Sequence, residues 1–212
     1  MRKGLWLVAA VVVGLAFAAP AQAVSIDFAK GMAGVGGSIT LFSDGSLLGA
    51  NIPIGALDVD GAPLNNGVYT VTGGFLSFST GGLAGLTAGL PAVNFIQIVG
   101  AVGGLGITQS QTLLYGTISE YQVFNAVYGL VMAKGPDAKS EDLLTVLGIP
   151  LTTPFEYFGF STATVTPLAL NVPSTVNSTD INNQAVPEPG SLVLLGSGLI
   201  GLASAVRRRF RK

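Results

Sequence analysis

The sequence predicts an all-β chain: a single β-sandwich or jelly-roll-like domain with one short helix, flanked by an N-terminal signal peptide and a C-terminal transmembrane helix. Three observations carry this expectation. Short runs rich in Val, Ile, Thr, Phe and Tyr recur through the middle of the chain and suit a pleated, half-buried surface. Glycine, with 30 residues, punctuates those runs where turns are needed. An apolar stretch stands near each terminus beside basic residues, the pattern of export and membrane segments rather than of a core.

The first strand signal is Ser38 to Ser43, which alternates and meets Asp44-Gly45, a two-residue hairpin signal, before Ser46 to Ala50 returns. Ala56 to Val59 follows. Val68 to Thr72, Gly73-Gly74 and Phe75 to Thr80 read as a second hairpin. Further strands are expected at Val93 to Val99, Thr112 to Ile118, Tyr121 to Tyr128, Leu130 to Ala133, Phe155 to Thr166 and Leu168 to Val172. The helix is expected from Ser140, an N-cap with Glu141 and Asp142 in the first turn, through the apolar stripe Leu143, Leu144 and Leu147. Gly148 and Pro150 stop it. Residues 173–185, rich in Ser, Thr and Asn, read equally as a linker or as an edge strand.

Composition removes whole classes of chemistry. The chain has no Cys and no His, so thiolate metal sites, disulfides and His-based triads cannot be built. No cofactor or metal is expected. Between Val24 and Val186 three lysines face ten acidic residues, a net charge of −7. Such a domain repels phosphate backbones, and nucleic-acid binding is not expected. Asp58 and Asp60 with Gly61 form a fragment of a calcium loop that lacks its closing Glu, and turn chemistry accounts for them. Ser161 in GFSTA falls short of a nucleophile elbow and reads as a strand residue. Paired carboxylates are the catalytic device that this composition permits, with Glu120 and Glu156 as candidates for a glycoside hydrolase. Tyr115, Tyr121, Tyr128 and Tyr157 are candidates for a sugar-binding platform. Neither reading outweighs ordinary solvent-facing acids and packed aromatics, so the expectation is that the protein is not an enzyme.

The termini carry the sharper signals. Arg2 and Lys3, the apolar Leu5 to Ala18 and the small-x-small triplet closing on Ala21 and Ala23 have the order of a signal peptide, residues 1–23. The folded domain is then expected over 24–172. Near the C-terminus, Ser191 to Val206 is an uncharged, mostly apolar segment, about 24 Å long as a helix at about 1.5 Å per residue. Arg207, Arg208 and Arg209, with Arg211 and Lys212, follow it as a cytoplasmic basic anchor. Val186, Pro187, Glu188 and Pro189 precede it, and the prolines keep that strip extended.

Residues 186–212 in that order resemble the PEP-CTERM sorting signal, with Pro-Glu-Pro on Pro187, Glu188 and Pro189. The resemblance implies an exosortase as partner, with cleavage near the motif. It also implies export in a Gram-negative type of cell, a C-terminal membrane anchor before processing, a final place at the cell surface or outside it, and a link to exopolysaccharide or biofilm. The expected function is that of a structural or adhesive surface or matrix protein. A carbohydrate-binding module and a glycoside hydrolase are the alternatives.

Overall fold

The computed structural model describes residues 24–29, 31, 35–81 and 94–185. The signal peptide, the sorting motif, the span expected at 191–206 and the basic anchor lie outside them. Among the described residues no helix is long and apolar enough to cross a membrane.

Among the described residues eleven strands form one antiparallel sheet. They are β1 (Ser25–Ala29), β2 (Ser38–Leu41), β3 (Leu47–Asp60), β4 (Gly67–Ser79), β5 (Phe95–Val102), β6 (Ile107–Gly116), β7 (Glu120–Asn125), β8 (Gly129–Gly135), β9 (Asp137–Lys139), β10 (Phe155–Thr164) and β11 (Ser174–Ala185). The hydrogen-bonded order is β7-β8-β10-β11-β1-β3-β4-β5-β6-β9. Strands β1 and β2 share one slot between β11 and β3, β1 against Ala56–Asp60 and β2 against Leu47–Ala50.

The two ends of that order are joined by a bent hairpin. One arm is β6 with β7, the other β8 with β9, and the ladder runs from Gly116↔Asp137 to Glu120↔Lys134 across a corner. Thr117 and Ser119 donate their N–H groups to the carbonyls of Pro136 (3.0 Å) and Lys134 (3.0 Å). Pro136 has no N–H for a ladder and marks the break between β8 and β9. A Cβ at Gly135 would stand 1.8 Å from the Thr117 carbonyl oxygen, so the corner requires glycine there. Because β6 pairs with β5 and β8 pairs with β10, the sheet closes on itself.

Closure encloses a single hydrophobic core, led by Phe28, Phe78, Phe158, Ile26, Ile39, Leu47, Ile52, Leu57, Leu76 and Ile96. Burying each such side chain is worth about 1.5–3 kcal/mol relative to exposure. Phe78 on β4 meets Phe160 on β10 edge-on, with centroids 5.0 Å apart at 64°, although four strand-to-strand steps separate them in the sheet. That contact joins β4 and β10 across the core.

The all-β expectation and the short helix hold. Helix α1 spans Glu141–Val146; the Ser140 hydroxyl accepts from the Leu143 N–H at 3.2 Å, and Leu143, Leu144 and Leu147 are buried. Several strand boundaries differ. Gly73-Gly74 is no hairpin: β4 runs straight through it as a bulge, with Gly73 at φ 57° and register shifts on both neighbours. The backbone packs too closely for a turn to leave the sheet, since a Cβ on Gly74 would lie 2.2 Å from the Ile54 carbonyl oxygen. Asp44-Gly45 does make a hairpin, but a wider one, closed by the Phe42 N–H on the Ser46 carbonyl at 2.9 Å. Leu168 to Val172 forms isolated bridges and no strand. Residues Ser174–Ala185 form a strand rather than a stalk, and β11 lies inside the sheet between β10 and β1 instead of at an edge. Strand alternation decides this: Val176, Thr179, Ile181, Asn183 and Ala185 face inward while their neighbours are solvated.

Candidate functional site

The outer surface of β7, β8, β10 and β11 carries a groove of about 450 Å³. In register across it stand Glu120, Lys134, Gly159 and Asn182 in one row, and Gln122, Met132, Ser161 and Asp180 in the next. Gly159 leaves the first row without a side chain, which makes the floor low between Lys134 and Asn182. Lys134 bonds Glu120 at 3.0 Å, with both side chains more than half exposed. Asn182 continues the polar row by donating Nδ2 to Asp27 Oδ2 at 3.2 Å. Asp27 is held above the ordinary carboxylate range, first because burial disfavours its charge and further because Asp180 and Asp58 repel it. Hydrogen bonds from Ser25 and the Asn183 N–H oppose the shift. The groove thus offers one cation, several amides and carboxylates, and an apolar patch at Met132.

Beneath the same rows lies a second polar constellation, inside the core. Lys139 and Asp137, two residues apart on β9 and therefore on one face, form an ion pair whose side chains are both fully buried. Asn183 on β11 is fully buried and donates Nδ2 to Asp137 Oδ1 at 2.5 Å. The Asn183 carbonyl oxygen has no hydrogen-bond partner. The Phe155 ring covers the Lys139 ammonium at 4.5 Å. Burial pulls the Lys139 amine below the ordinary lysine range, and the carboxylate of Asp137, with Asp27 beyond it, pulls the other way.

The residues singled out from sequence lie on several elements. Glu120 is engaged with Lys134, and the Glu156 side chain lies outside what is described. Tyr121 donates its hydroxyl to the Gly45 carbonyl at 3.1 Å. Tyr115 is on β6, Tyr128 in the β7–β8 turn and Tyr157 on β10, and all are exposed. Ser161 is a β10 residue in the groove. Asp60 accepts the Gly61 N–H at 2.9 Å, a turn contact, and among the described residues no acidic cluster could hold a metal ion. The residues that sequence reasoning missed are Asp137, Lys139 and Asn183. Their signal was parity, since each falls on the inward positions of a strand.

The family model for the PEP-CTERM protein-sorting motif matches residues 185–209. The chain carries a PEP-CTERM sorting motif. The motif covers Val186, Pro187, Glu188, Pro189, Arg207, Arg208 and Arg209; these residues, like Ala21 and Ala23 of the expected signal-peptide cleavage site, lie outside the described residues. No curated protein and no solved structure matches the chain. The PEP-CTERM motif implies a protein that is exported, processed by an exosortase and sorted to the cell surface. Its matched segment begins at the last residue of β11, so the sorting tail continues directly from an interior strand of the folded body.

Proposed function

We propose that this protein is a structural or adhesive component of the cell surface or extracellular matrix, associated with exopolysaccharide, and that it acts without catalysis. In this reading residues 1–23 are a signal peptide cleaved after Ala23. Residues 191–206 hold the tail in the membrane while Arg207, Arg208 and Arg209 keep its end cytoplasmic. The closed sheet is the sandwich-like body that the tail delivers. The observation that carries the reading is the sorting-motif match, which begins at Ala185, the last residue of β11. A folded body whose last strand leads in sequence into its sorting tail suits a scaffold held at the surface.

A second reading, a carbohydrate-binding module, draws support from the groove on β7, β8, β10 and β11. Its mixture of amides, carboxylates, one lysine and an apolar floor is the mixture that sugar hydroxyls and ring faces require. The glycoside hydrolase reading has less behind it, because Glu120 is tied up in an ion pair.

The test is the mass of the mature protein from membrane and extracellular fractions. The expected species starts at Val24 and has lost its C-terminal basic residues. Changing Pro187, Glu188 and Pro189 to alanine should leave the full-length tail in the membrane fraction. A wild-type species that ends at Lys212 in every fraction overturns the sorting reading. Binding of the purified body to host exopolysaccharide, and its loss in Asn182→Ala with Gln122→Ala, decides between scaffold and sugar-binding module.

A further inference from the structure

The cluster of Lys139, Asp137 and Asn183 has the composition of a reaction centre rather than of a resting ion pair. An amine, a carboxylate and a carboxamide meet in a fully buried space, and the carboxylate touches both nitrogens, Lys139 Nζ through Oδ2 and Asn183 Nδ2 through Oδ1. The amide carbonyl, the electrophile, has no donor. An aromatic ring closes the amine off. As a purely electrostatic device this is costly, because two ions lose their water and one amide oxygen goes unsatisfied.

We propose that Lys139 and Asn183 are joined by a side-chain isopeptide bond, formed by the protein on itself, with Asp137 carrying the proton. The pair shares one proton, and with that proton on Asp137 the Lys139 amine is neutral and nucleophilic. Nζ attacks Cγ of Asn183 and a C–N bond forms, leaving a tetrahedral carbon with a protonated Nζ. Asp137 gives its proton to Nδ2 and takes one from Nζ. The carbonyl re-forms, the C–Nδ2 bond breaks and one molecule of ammonia leaves. No oxidant or cofactor is consumed. Fixed proximity takes the place of external activation, as it does in other intramolecular reactions. The product resolves what is costly in the starting cluster. Lysine becomes an uncharged amide, Asp137 ends protonated, and its O–H is a donor for the carbonyl oxygen that had none.

The bond also has a mechanical place. It ties β9, at one end of the strand order, to β11, the strand that enters the sorting motif. A pull through the tail would then load a covalent link two residues before the motif begins, instead of peeling β11 from β10 and β1.

Intact mass and tryptic mapping of the full exported chain test this. The expected wild-type mass is one ammonia lighter than the sequence between the same termini. Trypsin should fail to cut after Lys139, and a branched peptide should contain both Lys139 and Asn183. Lys139→Met should restore the unreduced mass and separate peptides. Asp137→Asn should do the same or slow the mass loss. A folded wild-type protein, confirmed by circular dichroism, with unreduced mass and a free peptide ending at Lys139 overturns the proposal. So does ammonia loss with two separate peptides, which would mean a cyclised asparagine.

Discussion

Two lysines of the same hairpin arm meet opposite fates. Lys134 on β8 faces water and pairs with Glu120, their side chains 54% and 68% exposed, while Lys139 on β9 pairs with Asp137 at 0% for both. Nothing in the residue types separates the two pairs. Parity does. The lysines are five residues apart, and in a strand an odd step changes the face. The alternation survives the Pro136 corner, with Ala133, Gly135, Asp137 and Lys139 inward and Lys134, Pro136 and Ala138 outward. A salt bridge is therefore defined here by the register of its strand. The outer pair trims a surface groove, and the inner pair sits where a charge must be neutralised, paired or consumed.

The largest difference should appear when the acid is removed from each pair. Asp137→Ala leaves a buried lysine with no counter-charge and leaves Asn183 Nδ2 without its acceptor. Without the acid the amine stays uncross-linked and unpaired, and an uncompensated buried charge costs on the order of 3–5 kcal/mol. Urea unfolding should show that loss, whereas a cost under about 1 kcal/mol would mean that water reaches the cluster.

The next effect separates a lysine that titrates from one that cannot. Burial lowers the Lys139 pKa from 10.5, so an uncoupled Lys139 binds fewer protons folded than unfolded between the lowered value and 10.5. Stability must rise with pH through that window and carry the full penalty below it. Asn183→Ala keeps the amine and removes its electrophile. Its stability relative to wild type should climb as pH rises towards 10.5, because the cross-linked wild-type Lys139 has no proton to release. Parallel curves for the two proteins would show that both carry the same free amine.

Much of the fold was legible because local signals agreed with the tertiary outcome. The Ser140 cap, the leucine stripe of α1 and the alternating runs of β2 and β8 stand in the sequence much as they stand in the structure, whereas β6 begins at Ile107, five residues before the run read from Thr112. The misreadings share a cause. Gly73-Gly74 has the composition of a turn, yet the same glycines permit a bulge, and the packing of Gly74 against Ile54 chose the bulge. Ser174–Ala185 has the polarity of a linker, but its inward half is enough to fill a strand once β10 and β1 supply partners on both sides. The inner cluster was hidden for another reason. Asp137 and Lys139 look like solvated charge until the strand is known to continue past Pro136, and their partner Asn183 lies on a different strand 44 residues later. The sorting motif, by contrast, is read from contiguous residues and needs no fold at all.

The smallest effect belongs to the outer pair, and it is informative for that reason. Replacing Lys134 by Met leaves Glu120 free to hydrate, so the loss should stay within about 1 kcal/mol. It should vanish near 1 M salt, where the screening length falls to about 3 Å. The inner pair should ignore the same salt, because no ions reach it. If Lys134→Met proved as costly as Asp137→Ala, or as insensitive to salt, exposure would not be what distinguishes the two pairs. The groove would then have to be regarded as part of the framework. If the substitution leaves stability almost unchanged but weakens binding of exopolysaccharide, the outer pair is retained for recognition, and the two lysines divide the work of one hairpin between surface and core.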